Sequence, residues 1–257
     1  MNISVITVSF NTATTLEDAI NSVLIQSLIG SIEQIIIDGG STDGTVEIIK
    51  KYGHKVSKWI SEKDNGIYDA MNKGIGLATG DVIGFLNSDD VYVAQDTLAS
   101  VAEIFKTGCD CCYSDLVYVN QDLKKTIRYW KSGEYRGGKF YEGWHPPHPT
   151  FFARREIFRE YGLFDTSYKI AADYEIMLRF LVRHKISVSY LPEVTVKMRV
   201  GGESNRSLKN IIKANAEVKR AWLDNGLKPP PFIYLRKPLS KLKQIMTAGS
   251  YNLGENG

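Results

Sequence analysis

The chain has 257 residues, 43% of them hydrophobic and 24% charged, enough apolar material for one large domain with a sizeable core. No apolar run approaches the roughly 18 residues that a membrane-spanning helix needs. The net charge of +3 is unevenly spread: residues 201–257 hold ten Lys/Arg against four Asp/Glu, so a basic tail follows a slightly acidic body.

In chain order, "ISVITVSF" is β-branched and apolar, a buried strand rather than a signal peptide. In "NTATTLEDAINSVLIQS" Thr14 and Glu17 fit a capping box, and Leu16, Ala19, Ile20, Val23 and Leu24 recur at helical spacing. "EQIIID" is a second strand, "GGSTDGT" a turn, and "TVEIIKKYG" a helix. "VSKWISE", "GIYDAMNKGIGLATG" and "DVIGFL" read as strand, helix and strand. "QDTLASVAEIFKTG" is a helix and "CDCCYSDLVYV" a strand. The second half is less regular, with an aromatic, Pro-rich loop "GWHPPHPTFF" and a strongly amphipathic helix "ADYEIMLRFLVRH". Strands alternating with helices predict an α/β fold: a mostly parallel sheet with helices on both faces. Ligands of such sheets bind at the carboxyl ends of the strands. Phe10-Asn11, Asp38, Ser61-Glu62 and Asn87 to Asp90 gather there.

Each motif has a functional and a structural reading. Asp38, before a Gly-rich turn, suits a base N–H or simply a tight turn, while Asp43 is read as a helix cap. The paired acids of "NSDD" suit Mg²⁺ or Mn²⁺ bridged to phosphates, more than the single acid a cap requires. Asp173 opens a helix, and on local sequence alone the cap reading leads that of a general base. Trp144, His145 and His148 lie in a Pro-stiffened loop and could line an acceptor pocket. Cys109, Cys111 and Cys112 read as reduced thiols, which points to a cytoplasmic location.

Six segments occur in an order that resembles the inverting family 2 glycosyltransferases of the GT-A fold. They are "ISVITVSFN", "IIIDGGSTDGT", "DAMNKGIGLATGDVIGFLNSDD", "HPTFFARREIFREYGLFD", "ADYEIMLRFL" and "LPEVTVKMRV". The resemblance implies a catalytic domain over 1–204, with a nucleotide-sugar half (about 1–115) and an acceptor half (about 116–204). A basic helical extension follows over 205–257. It implies that Phe10 stacks on a nucleotide base, Asp38 holds the base, and Asn72 faces ribose and phosphates. Asp90 then matches the metal ligand and Asp89 a ribose or metal contact. Arg199 stands near the donor diphosphate, and Asp173 is the catalytic base. Departures are Gly39 in place of a second acid, Asn87 in place of another, Ala172 before Asp173, and Gly201 in place of a possible His ligand.

The implied cofactor is Mn²⁺ or Mg²⁺. The implied partners are a nucleotide-diphosphate sugar and a glycan or lipid-linked glycan acceptor, as in bacterial surface-polysaccharide synthesis. The basic stretch "FIYLRKPLSKLKQIM" is a candidate for an anionic membrane surface, making the enzyme peripheral on its inner face. Nucleic acid is not an expected partner. The rivals are a sugar-phosphate nucleotidyltransferase and a non-catalytic nucleotide-sugar binding protein.

Overall fold

The structure, a computed structural model, describes residues 1–201 and 208–231. The strands are β1 (Ile3–Ser9), β2 (Ile32–Asp38), β3 (Lys58–Ser61), β4 (Val82–Phe85), β5 (Asp90–Tyr92), β6 (Cys111–Val119), β7 (Thr126–Trp130), β8 (Phe152–Arg154) and β9 (Val188–Arg199). The helices are α1 (Leu16–Leu24), α2 (Thr45–Tyr52), α3 (Ile67–Leu77), α4 (Thr97–Phe105), α5 (Arg155–Tyr161), α6 (Ala172–Leu178) and α7 (Leu208–Asp224).

One sheet runs in the order β3-β2-β1-β4-β8-β6-β9-β5, with β7 paired to β6. The strands β3, β2, β1 and β4 are parallel, as the β-branched runs predict. Beyond β4 the pairing is mixed. β8 is antiparallel to both β4 and β6, β5 to β9 and β7 to β6, while β6 and β9 are parallel. The mostly parallel sheet therefore describes the first half only. The sheet is continuous, and the expected boundary near residue 115 falls inside β6.

Apolar layers cover both faces. Ile6, Ile35, Phe85 and Tyr113 pack with α3, α5 and α6, whereas Val5, Val82, Leu116 and Val196 pack with α4. The expected stripe of α1 is buried at Leu16, Ala19, Ile20 and Val23. Its capping box does not form: Glu17 accepts hydrogen bonds from Lys51 Nζ and Tyr52 OH, both at 2.6 Å. Asp43, read as the cap of α2, stands one residue before it: Gly44 is the N-cap, and Asp43 accepts from the backbone N–H of Thr45, the first residue of α2, at 3.1 Å.

The start of the C-terminal extension is part of the body. Trp222 is wholly buried and donates to Tyr174 OH at 2.9 Å. The segment 232–257, with the basic stretch assigned to a membrane surface, lies outside the described residues.

Candidate active site

The carboxyl ends of β1 and β2 are stitched together by short polar contacts. Asn11 N–H donates to Ser41 Oγ at 2.8 Å, and Asn11 Oδ1 accepts from Thr42 N–H at 3.0 Å. Asn11 itself has φ +52°, an αL conformation that Asn tolerates. This fixes the loop that leaves Phe10 62% exposed at the sheet edge. A ring that size stays in water at a cost unless something stacks on it.

Asp38 is beside Phe10 in the fold but wholly buried. Its Oδ1 accepts from Ser9 Oγ (3.1 Å) and Ser41 Oγ (2.5 Å). Its Oδ2 accepts from Gly40 N (3.1 Å), Ser41 N (2.9 Å) and Ser61 Oγ (2.7 Å). A carboxylate has about four lone-pair sites, so five donors leave no capacity for a base. The residue ties β1, β2 and β3 together and shapes the turn.

The acid that does face Phe10 is Asp64, in the β3–α3 turn. A Cβ built on Gly39 would lie 2.6 Å from Asp64 Oδ2 and 3.3 Å from Phe10 Cδ2. Asp64 thus occupies the space that a side chain at position 39 would take. Its Oδ1 is anchored by the Gly66 N–H at 2.9 Å.

The expected diphosphate and ribose contacts are engaged elsewhere. Arg199 is 3% exposed. It donates to Gln121 O (2.9 Å), Asp89 O (2.8 Å) and Asp18 Oδ2 (2.5 Å). It therefore fixes the Asp89 backbone instead of presenting a fork to solvent. Asn72 makes a reciprocal pair with Phe164, Nδ2 to O at 2.9 Å and N to Oδ1 at 3.0 Å, and so clamps the loop ahead of α6.

Asp89 and Asp90 differ sharply. Asp89 is half-buried, while Asp90 opens β5 and is wholly buried. Neither Asp90 oxygen accepts a well-formed hydrogen bond. Burial, then the neighbouring Asp89, pushes its carboxyl well above the usual range, against the smaller pull of Arg199 and Asn87. An orphaned buried carboxylate calls for a proton or a cation. Two adjacent all-oxygen donors fit Mg²⁺ or Mn²⁺, with water and substrate oxygens completing the shell. Among the described residues no cluster of three or more His, Cys, Asp or Glu forms a closed metal site, and Gly201 adds no side chain. Solvent reaches Asp89 and not Asp90.

Asp173 is half-buried in the first turn of α6. Its Oδ1 accepts from Tyr174 N–H at 2.8 Å and Tyr68 OH at 3.5 Å. Burial, then Asp173, raises the Tyr68 phenol well above its ordinary value, so it remains a donor. Glu217 of α7 braces the same turn from behind. Its carboxylate accepts from the N–H groups of Lys169 (3.0 Å), Ile170 (2.8 Å) and Ala171 (2.9 Å).

The loop expected to line the acceptor side divides by function. Trp144 donates to Ser132 O at 2.8 Å and packs on Tyr113, Tyr135 and Phe140. It is a wall of the core. His148 is 7% exposed, stacked on Phe85 with ring centroids 5.2 Å apart, and burial lowers its pKa. His148 also feels the charge of Asp173, while His145 lies edge-on to Trp130 (5.3 Å) and to Tyr174 (5.5 Å). Sequence reasoning passed over Asp64, Tyr68, Tyr118, Arg128 and Trp130. Asp64 was findable, since "SEKDNG" leaves a strand on the ligand edge.

Residues 4–162 match the profile described as Glycosyl transferase family 2. A PGL/p-HBAD biosynthesis glycosyltransferase of Mycobacterium tuberculosis is 31% identical over 206 residues, 79% of this chain and 78% of that protein. The crystal structure of S. aureus TarS aligns with a TM-score of 0.64 at 19% identity, over 86% of this chain but only 43% of that one. A mannosyltransferase from Pyrobaculum calidifontis, in complex with GDP-Man and Mn²⁺, aligns with a TM-score of 0.63 at 18% identity, over 96% of this chain and 73% of that one. The two structures speak to the fold, which is the GT-A glycosyltransferase architecture. The profile match and the relative of similar length go further: the chain belongs to glycosyl transferase family 2.

Proposed function

We propose that this glycosyltransferase takes its sugar from a nucleoside diphosphate sugar and transfers it, with inversion, to a hydroxyl of a glycan acceptor. The observation that carries the reading is the placement of an exposed aromatic beside an acid, Phe10 and Asp64, on the edge that also holds Asp89 and Asp90. TarS crystallised with UDP-GlcNAc, and the mannosyltransferase with GDP-Man and Mn²⁺, support a donor of this class.

The base stacks on Phe10 and Asp64 accepts its imide N–H. An ionised carboxylate accepts only, so uracil and guanine, which donate at the centre of their pairing edges, are favoured over cytosine and adenine. Asp89 and Asp90 would hold a divalent ion, which when bound would supply positive charge to the leaving diphosphate. Arg199 keeps the Asp89 backbone in place.

Asp173 takes the proton of the acceptor hydroxyl, which attacks the anomeric carbon from the face opposite the leaving group. Tyr174 N–H and Tyr68 OH occupy Oδ1, so Oδ2 is the oxygen presented to the acceptor. A lipid-linked acceptor accords with the basic composition of residues 232–257.

The test is a panel of UDP-, GDP-, CDP- and ADP-sugars with Mn²⁺ or Mg²⁺, read by thermal stabilisation and by release of nucleoside diphosphate. A ligand at a hundredfold excess over Kd stabilises by about 2.7 kcal/mol. Uridine or guanosine sugars should stabilise and turn over; no response from any of the four would refute the reading. Turnover of free nucleoside triphosphate with a sugar phosphate would instead identify a nucleotidyltransferase.

A further inference from the structure

Four residues form one row across four strands. Arg128 of β7 is opposite Tyr118 of β6, Tyr118 is opposite Met198 of β9, and Met198 is opposite Asp90 of β5. Directly opposed residues share a sheet face, so Arg128 and Asp90 stand on the same face. The Arg128 guanidinium carbon is 3.8 Å from the Tyr118 ring centre and 6.0 Å from that of Trp130. The Tyr118 and Trp130 rings are parallel within 5° and 6.4 Å apart. Trp130 then meets His145, and His145 meets Tyr174, the neighbour of Asp173. An aromatic wall thus runs from Arg128 to Tyr174, the residue after Asp173.

Arg128 is unlike the other arginines near the core. Arg199, Arg154 and Arg179 spend their N–H groups on carbonyls and carboxylates. Among the described residues Arg128 makes no ion pair and its buried Nε has no hydrogen-bond partner, and its side chain hydrogen-bonds Tyr118. A guanidinium stacked on a ring holds its plane fixed, and Nε with the N–H groups not spent on Tyr118 is left to donate. That edge matches a phosphoryl or carboxylate oxygen pair.

We infer that Arg128, stacked on Tyr118 beside Trp130, is the anion-binding end of the acceptor site, and that the acceptor carries a phosphoryl or carboxylate group. The inference rests on the transferase reading above, with Asp173 at the other end of the wall. Charge on the acceptor sets which sugars can dock, and the Trp130 face packs against the sugar. The donor diphosphate is the competing occupant of Arg128.

The test uses the full chain saturated with UDP and Mg²⁺, and again without nucleotide. Inorganic phosphate, methyl phosphate and glucuronate are titrated while tryptophan fluorescence is followed. Wild type should show a saturable change, weaker at high salt. Arg128→Met should weaken the anion at least about tenfold with UDP affinity unchanged, and Arg128→Lys should fall between. Preference for the two phosphates or for glucuronate tells a phosphoryl from a carboxylate acceptor. No saturable change in wild type, or an equal change in Arg128→Met of native melting temperature, overturns the inference. A parallel loss of UDP affinity also overturns it, by placing Arg128 on the donor. If UDP fails to bind wild type, the donor reading fails, and the nucleotide-free titration still decides Arg128.

Discussion

Asp64 stands in the space that a side chain at position 39 would fill: a Cβ on Gly39 would come within 2.6 Å of Asp64 Oδ2. The acid that the resemblance places after Asp38 is missing from the β2 turn, and a carboxylate from the β3–α3 turn lies there instead. Gly39→Ala should displace Asp64 from Phe10 and weaken uridine or guanosine diphosphate by at least about tenfold. Asp64→Asn should narrow the preference over cytidine diphosphate, because its amide can donate to cytosine N3. Isothermal titration of the four nucleoside diphosphates reads both variants. Unchanged selectivity in both would remove Asp64 from the site.

Glu217 reaches from α7 to three consecutive N–H groups ahead of Asp173. Glu217→Ala leaves those donors unsatisfied and should cost about 2–3 kcal/mol of stability. It should lower kcat through Asp173 more than it raises the donor KM. Glu217→Gln keeps acceptor capacity through its amide oxygen and should recover part of both. Equal loss in the two variants would mean that charge, not the backbone contact, matters.

The Asp89–Asp90 pair should separate in mutation. Asp89→Asn should weaken Mn²⁺ binding in the presence of UDP by about tenfold or more. Asp90→Asn should do likewise but raise the melting temperature of the metal-free protein, because it removes a buried carboxyl without a partner. Loss of stability in Asp90→Asn would show instead that the carboxyl is a structural acceptor.

Glu33 gives the fold an acid-sensitive seam. Burial acts to raise its carboxyl, but donors from Lys58, Ser4 and Thr79 outweigh it and hold the group down to about 2. The folded value lies below the ordinary 4.5, so the stabilisation is complete above that pH and is lost as pH falls toward 2. Glu33→Gln should flatten this part of the melting profile and cost about 2 kcal/mol near neutrality. A wild-type acid limb that survives unchanged in the variant would assign the effect elsewhere.

The parallel half of the sheet was legible because its strands are apolar runs closed by polar residues at one edge. β5 is three residues long and pairs with β9 over a hundred residues away, a contact without a local signal. The chemistry of Asp38 was visible, but its saturation depends on Ser9 and Ser61, brought in by β1 and β3. Asn72 and Arg199 were likewise named for their donors, and long-range partners at Phe164 and Asp18 engage part of that capacity. Asp173, in contrast, keeps a part-exposed carboxylate where its place at the start of α6 put it.

In the proposed reaction Asp173 acts as the base beside a bound sugar nucleotide. The most direct measurement is donor affinity beside single-turnover sugar transfer, in wild type and Asp173→Asn, with the sugar nucleotide selected from the panel. Asp173→Asn should bind the donor as wild type does and transfer sugar more slowly by roughly 10²–10⁴, the span of general acid–base catalysis. Near-normal transfer by Asp173→Asn would contradict it.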